Sequence, residues 1–276
     1  MPEPVVAASE SDLIEKARNG DHDAFAALYA PVERPLAAFL YRLIAARQDA
    51  EDLAQETAVR ALESISGFGN ASSFRAWIFR MAAEIALEYL RGKKSWDPDT
   101  HIRAGEQPQV RRELQRLHGS KDHTTYHIGE HIDFCFICLG RAVPPHETAA
   151  LLLVEVHGFS PAEAVEVLGT TAEVLRLRVT QARQTLADHL DSRCSLINKD
   201  GACTQCASLD TLLHGDRRHT EQALFGIDLA PSASPVERAA AFDRHLAIIR
   251  SIDPLHAEGT RLHDSLMTMT RRLGRY

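Results

Sequence analysis

Five cysteines and one nearby histidine are the residues of this sequence best suited to chemistry. Cys135 and Cys138 form CFIC, with His131 four residues earlier. At i, i+4 and i+7 the three share one face of a helix. Cys203 and Cys206 form CTQC in a glycine-containing stretch, and Cys194 precedes them. In a cytosolic protein, paired C-x-x-C motifs read as a metal site before structural disulfides. Zinc takes four soft or borderline ligands in a tetrahedron. Cys135, Cys138, Cys203 and Cys206 would supply them for one ion, with His131 or Cys194 as alternates. Thiolates so placed could also be oxidised and lose the metal, which would make a redox switch. The plainer alternative is core packing, because free Cys behaves as a small hydrophobe and Phe134, Phe136 and Ile137 surround the first pair. A metalloenzyme would need an open zinc position with an acid or base beside it. No spacing places a Glu beside the cysteines, so catalysis is not expected.

The elements that must position these residues read as helices throughout. Ala and Leu dominate, aromatics are only 6%, and hydrophobic residues make up 45%, enough for a core. Ser11 to Asn19 reads as a helix with Ser11 as its cap. Asp21 to Ala45 reads as one or two helices bent near Pro31 and Pro35. From Asp49, the residues Ala50, Leu53, Ala54, Thr57, Ala58, Ala61 and Leu62 recur at helical spacing, while Asp49, Asp52, Gln55 and Glu56 form an acidic, polar stripe on the other face. Gly67, Gly69 and Asn70 break that helix. The next begins near Ser72 or Ser73 with Phe74, Trp77, Ile78, Met81, Ile85 and Leu90 as its apolar set, and ends in the basic run Arg91, Lys93, Lys94.

Downstream, Ser95 to Lys121 is polar and contains Pro98 and Pro108, as a linker would, with VRRELQRLHGS as a short helix inside it. Pro144 to Leu190 holds a second unit. Ser160, Pro161 and Glu163 make a cap, a first-turn proline and a capping-box partner. Gly169 ends that helix, and another follows from about Thr171 with Val174, Leu175, Leu177, Val179 and Leu186. Helix, glycine turn and helix at this length make a helix-turn-helix. Its second helix presents Arg176, Arg178, Thr180, Gln181 and Arg183, side chains that reach base edges and phosphates. The plainer alternative is a helical hairpin with a solvated basic face. In the tail, Ser234, Pro235 and Glu237 start a helix with the stripe Val236, Ala239, Phe242, Leu246 and Ile249. Asp253-Pro254 is expected to start another, with Leu255, Leu262, Leu266 and Met269 inward, and His214, His219, His245, His256 and His263 are read as surface histidines.

The net charge of −7 is awkward for a DNA binder acting alone. A partner would have to supply most phosphate contacts, which fits a subunit of a larger machine. No run of eighteen apolar residues is present and MPEPVVAASESD lacks the pattern of a signal peptide, so a cytoplasmic location without a membrane is expected.

Two blocks carry a family resemblance. DAEDLAQETAVRAL, GF followed by FRAWIFRMA, and YLRGKK resemble the first core domain of bacterial RNA polymerase sigma factors of the extracytoplasmic-function (ECF) type, over Ala24 to Lys94. GFSPAEAVEVLGTTAEVLRLRVTQARQTL looks like the second core domain, which reads the distal promoter element. The resemblance implies an all-α protein: 11–94, the first core domain; 95–130, a linker; 131–192, the helix-turn-helix domain; 193–210, a cysteine-containing segment; 211–276, a C-terminal helical hairpin extension. It implies RNA polymerase core and promoter DNA as partners, with a separate anti-sigma protein left open. Asp49, Asp52, Gln55 and Glu56 would face polymerase. Phe68, Asn70, Ser72 and Ser73 would line a pocket for a flipped base, with Arg75, Arg80, Arg91 and Lys93 on phosphates. Thr171, Arg176, Arg178, Thr180, Gln181 and Arg183 would meet the distal element. H-x-x-x-C-x-x-C also resembles the zinc motif of anti-sigma proteins that release their partner on thiol oxidation. Two departures stand out: Glu84 and Glu88 lie where the family is more basic, and Leu175-Arg176-Leu177-Arg178 is less hydrophilic than usual. They leave a rival reading, a sigma-like scaffold or metal and redox sensor that does not itself initiate transcription.

Overall fold

The computed structural model describes residues 9–69, 72–119, 128–195, 197–198, 200–205, 235–255 and 261–274. Among them every named element is helical: α1 (Glu10–Arg18), α2 (His22–Ile44), α3 (Arg47–Ser64), a 3-10 turn (Ile65–Gly67), α4 (Phe74–Leu90), α5 (Thr100–Gly105), α6 (Pro108–Gly119), α7 (Ile128–Gly140), α8 (Pro145–Leu151), a π-helical turn (Leu152–Val156), α9 (Pro161–Leu168), α10 (Ala172–Arg193), α11 (Pro235–Ser251) and α12 (Arg261–Leu273). The predicted all-α class holds.

The first unit is α1 to α4 around Leu36, Phe39, Leu40, Leu43, Ile78 and Phe79, all fully buried. Ser9, not Ser11, caps α1, because only Ser9 can exchange bonds with Asp12 three residues on. The helix α2 runs unbroken through Pro31 and Pro35. Leu28, Val32, Leu36, Phe39 and Leu43 keep one apolar stripe across both prolines. Burying that stripe outweighs the ladder bonds the prolines remove.

The predicted linker is instead folded. Both α5 and α6 pack on α12, and Trp96, Ala104 and Val110 are buried. A Cβ at Gly274 would meet the Trp96 ring at 2.8 Å, so glycine is what lets α12 end against the indole. In the second unit, α9 carries the predicted capping box between Ser160 and Glu163, and Gly169 closes it at φ 54°. Thr171 caps α10. The two units touch directly through α4 and α9.

The C-terminal pair fills the space around them: α11 packs on α7 and α10, and α12 on α5, α6 and α7. Phe242, Leu246 and Ile249 are buried as the stripe predicted. The last helix starts at Arg261 rather than at Asp253, which instead caps a turn through the Leu255 N–H. Of the histidines expected at the surface, His245 is buried and His263 is largely covered. His245 sits over the Ala241 carbonyl at 2.8 Å, and His263 meets His131 at 3.2 Å. Periodicity places a histidine on a face but does not say what covers that face.

One buried ion pair joins three of these elements. Arg42 of α2 donates from Nε to Asp133 of α7 at 2.9 Å, and from Nη2 to the carbonyls of Ile249 and Ile252, at 2.9 and 2.7 Å, at the end of α11. Both charged side chains are almost fully covered, 3% and 2% exposed.

Candidate nucleic-acid and protein interface

On α3, Asp52, Gln55 and Glu56 are exposed, as the stripe predicted. Glu56 pairs with Arg60 at 2.5 Å. Val59 continues the same stripe and is 55% exposed, an apolar residue on an acidic face. Asp49 departs from the set. It is half-buried and accepts a hydrogen bond from the Tyr89 hydroxyl, so α4 holds it back from the stripe.

Of the residues expected to line the base pocket, Phe68 and Ser73 have partners within the chain. Phe68 points inward against Phe74 and Trp77, with ring centroids 6.1 and 5.0 Å away, so its ring supports the loop rather than lining an open pocket. Asn70 lies outside the described residues. Ser73 is committed to capping α4, accepting from the Ala76 N–H at 3.1 Å, and Ser72 is half-buried. Arg75 was expected on a phosphate. Here it lies over the Phe159 ring at 3.9 Å and donates to the His157 carbonyl at 2.5 Å, which ties α4 to the second unit. Burial lowers its pKa while Glu163 opposes that shift.

Arg80 and Arg91 are exposed but paired with acidic neighbours. Arg80 meets Glu84 at 3.1 Å, and Arg91 meets Glu88. Lys93 rests over the Tyr89 ring at 3.2 Å. The acidic residues that depart from the family's pattern are therefore the direct partners of two predicted phosphate contacts. Exposed pairs of this kind are worth about 0–1 kcal/mol, so they can be exchanged for other contacts.

On α10, Arg176, Thr180 and Gln181 are exposed and Arg178 is half-buried. Thr180 donates to the Arg176 carbonyl at 2.8 Å, which occupies its hydroxyl. Leu177 is 52% exposed on the same helix. Arg183 is engaged: it pairs with Asp243 of α11 at 2.5 Å and with Glu155 at 3.2 Å, and lies over the Phe242 ring. Arg250 of α11 holds Glu155 at 2.9 Å. Nothing local in the sequence could announce these partners, because they stand far from Arg183 along the chain.

Of the four cysteines expected to hold zinc, Cys135, Cys138 and Cys203 lie within the described residues. Among the described residues no three His, Cys, Asp or Glu side chains converge as metal ligands, so Cys135, Cys138 and Cys203 do not share one point. Cys206 lies outside the described residues. Cys138 is buried in the core, where desolvation raises its thiol pKa and a hydrogen bond with Thr270 opposes that rise. Its helical face is covered by α12, which a C-x-x-C count cannot foresee. Cys194 and Cys203 are adjacent in a short parallel bridge, with the Ser195 N–H donating to the Cys203 carbonyl at 3.1 Å. Gln205, two residues on, donates to the His101 carbonyl at 3.1 Å and hydrogen-bonds His131. His131 and His263 form a buried pair that Glu130 approaches to 3.8 Å. Desolvation lowers the pKa of both, that of His263 to about 4.

This arrangement defines an all-helical protein with an acidic helix face, a polar loop ahead of an aromatic helix, and a helix-turn-helix. Comparison with known proteins agrees in class. Residues 28–95 match the family Sigma-70 region 2. The ECF RNA polymerase sigma factor SigG of Mycobacterium tuberculosis is 31% identical over 182 residues, 61% of this chain and 48% of that protein. The ECF RNA polymerase sigma-E factor of Haemophilus influenzae is 26% identical over 184 residues, 66% of this chain and 95% of that protein. Among solved structures, CnrH in complex with the cytosolic domain of CnrY aligns with a TM-score of 0.46 at 24% identity, over 65% of this chain and 95% of that one. The chain spans about half the length of the first curated relatives it matches. The family match and the curated relatives are similar to ECF-type sigma factors over part of this chain. No helix among the described residues is long and apolar enough to cross a membrane.

Proposed function

We propose that this chain is an ECF-type sigma factor that brings RNA polymerase core to specific promoters and catalyses nothing itself. The observation that carries the reading is the α3 face. Asp52, Gln55, Glu56 and the exposed Val59 form an acidic stripe with an apolar contact point, suited to docking on a protein surface. The exposed Arg176, Leu177 and Gln181 of α10 suit a major groove, with Leu177 able to pack on a thymine methyl. The unit packing observed is a closed one, because Arg75 and Arg183 are spent on contacts between elements. Docking on polymerase would release both for DNA. Core polymerase incubated with this protein and a library of promoter fragments tests the reading by run-off transcription.

The rival is a sigma-like scaffold that does not initiate. The Glu84 and Glu88 pairings favour it, since they neutralise Arg80 and Arg91 on the face meant for phosphates. The same run-off assay separates the two. One zinc ion and a thiol-oxidation response stay as a proposal for the cysteine segment alone. Its support is the C-x-x-C spacing of Cys203 and Cys206 and the placement of Gln205 beside His131. Zinc measured in protein purified under reducing conditions, before and after diamide, tests it. Less than one ion per two chains in the reduced protein would end it.

A further inference from the structure

One unexplained feature is a cavity of about 400 Å³ where the ends of α4, α7 and α12 meet the start of α3. Its wall includes Arg141, Lys93, Lys94, Arg271, Trp96 and Asp49. Four cations against one carboxylate is the reverse of the chain's balance, which is −7 overall. That carboxylate, Asp49, is already bonded to Tyr89.

Arg141 is the telling residue. It is 4% exposed, and its Nε is buried with no hydrogen-bond partner. Its guanidinium carbon lies 5.8 Å from the Trp96 ring centroid, and the Tyr89 side chain also acts on it. Among the described residues, Lys94 and Arg271 form no ion pair either. A buried guanidinium nitrogen left without a hydrogen bond is costly and adds no stability by itself. Desolvation pulls its pKa below the ordinary value. An anion entering the cavity would satisfy it, because Arg offers a planar fork that matches phosphate geometry.

We propose that this cavity binds a nucleotide, with its phosphates on Arg141, Lys94 and Arg271 and its base against Trp96. The volume suits one: ligand cavities run from about 300 to 1,000 Å³. The walls come from the first unit, from α7 and from α12, so a bound nucleotide would tie the C-terminal helix to the first unit. The proposal does not depend on the chain initiating transcription, since binding is measured on the protein alone.

The test is titration calorimetry of the full chain at low salt with ATP, GDP, inorganic pyrophosphate and adenosine. The expected result is saturable binding of a nucleotide with Kd below about 1 mM, with pyrophosphate at least tenfold weaker and adenosine weaker still. Arg141→Met should lose at least tenfold in affinity while melting no lower than the parent, because the substitution removes an uncompensated buried charge. Should Arg141→Met fail to fold, Lys94→Gln with Arg271→Gln, both outside the core, should give the same loss. No nucleotide binding by the folded parent overturns the proposal, as does parental affinity in both variants. Pyrophosphate binding as tightly as the nucleotides overturns the placement of a base on Trp96.

Discussion

Replacing Asp133 by Asn removes one charge from the buried pair that fastens α2, α7 and α11 together. Arg42 then keeps its bonds to the Ile249 and Ile252 carbonyls but loses the carboxylate at 2.9 Å. Both side chains are at most 3% exposed, so water cannot replace the lost partner. Breaking a buried pair by removing one member costs about 3–5 kcal/mol, since it leaves an uncompensated charge. For a chain of this size that lowers Tm by roughly 6–20 °C, at about 2–4 °C per kcal/mol. The assay is thermal and urea unfolding followed by far-UV circular dichroism. Replacing both partners, Arg42→Met with Asp133→Leu, should recover most of the loss, because two apolar residues leave no orphaned charge. A loss below about 1 kcal/mol for Asp133→Asn would refute the reasoning. So would a double variant no more stable than the single one, since that would make Arg42 a packing residue and not a charged hub.

Acid should destabilise the fold. Burial holds His101 and His263 down to about 4 and His157 to about 3, with His131 also lowered. Their folded pKa values lie below the unfolded one, so the unfolded chain binds more protons. Stability is intact above about pH 6.5 and falls as pH drops toward 4. A urea midpoint unchanged between pH 7 and 5 would contradict this. Ser160→Ala removes the hydroxyl's bonds to the Glu163 N–H and carboxylate at α9, leaves the backbone N–H bond to Glu163, and should cost about 1 kcal/mol in urea unfolding; no measurable loss would mean that water replaces the cap. Glu84→Gln with Glu88→Gln frees Arg80 and Arg91 and should tighten binding of the polymerase complex to promoter DNA. It should also steepen the salt dependence by up to about two units of slope. Unchanged affinity and slope would place those arginines away from phosphate.

Local rules made the helices legible and left their partners hidden. The capping box at Ser160 and Glu163, the glycine at 169 and the apolar stripe of α11 were all readable, because each depends on residues within one or two turns. Misreadings came where distant residues decide. Ser95 to Lys121 is polar by composition, yet Trp96 and Val110 anchor it once α12 supplies a surface. Pro31 and Pro35 suggested a bend, but the stripe beneath them is continuous. Within the candidate site, the α3 stripe was visible as periodicity. The loss of Phe68 to the core and of Arg183 to Asp243 was not, because both follow from contacts made by other elements. The cysteine count suggested four ligands, while the thiol of Cys138 faces the interior.

Run-off transcription is the most direct test of the central claim. Purified protein is added to sigma-free core polymerase with a genomic promoter library, and initiated transcripts are sequenced. The account predicts transcripts from a limited promoter set, lost when Asp52, Gln55 and Glu56 are replaced together by Lys. No transcripts above those of core polymerase alone, with the protein folded and bound to polymerase, would contradict it and favour the scaffold.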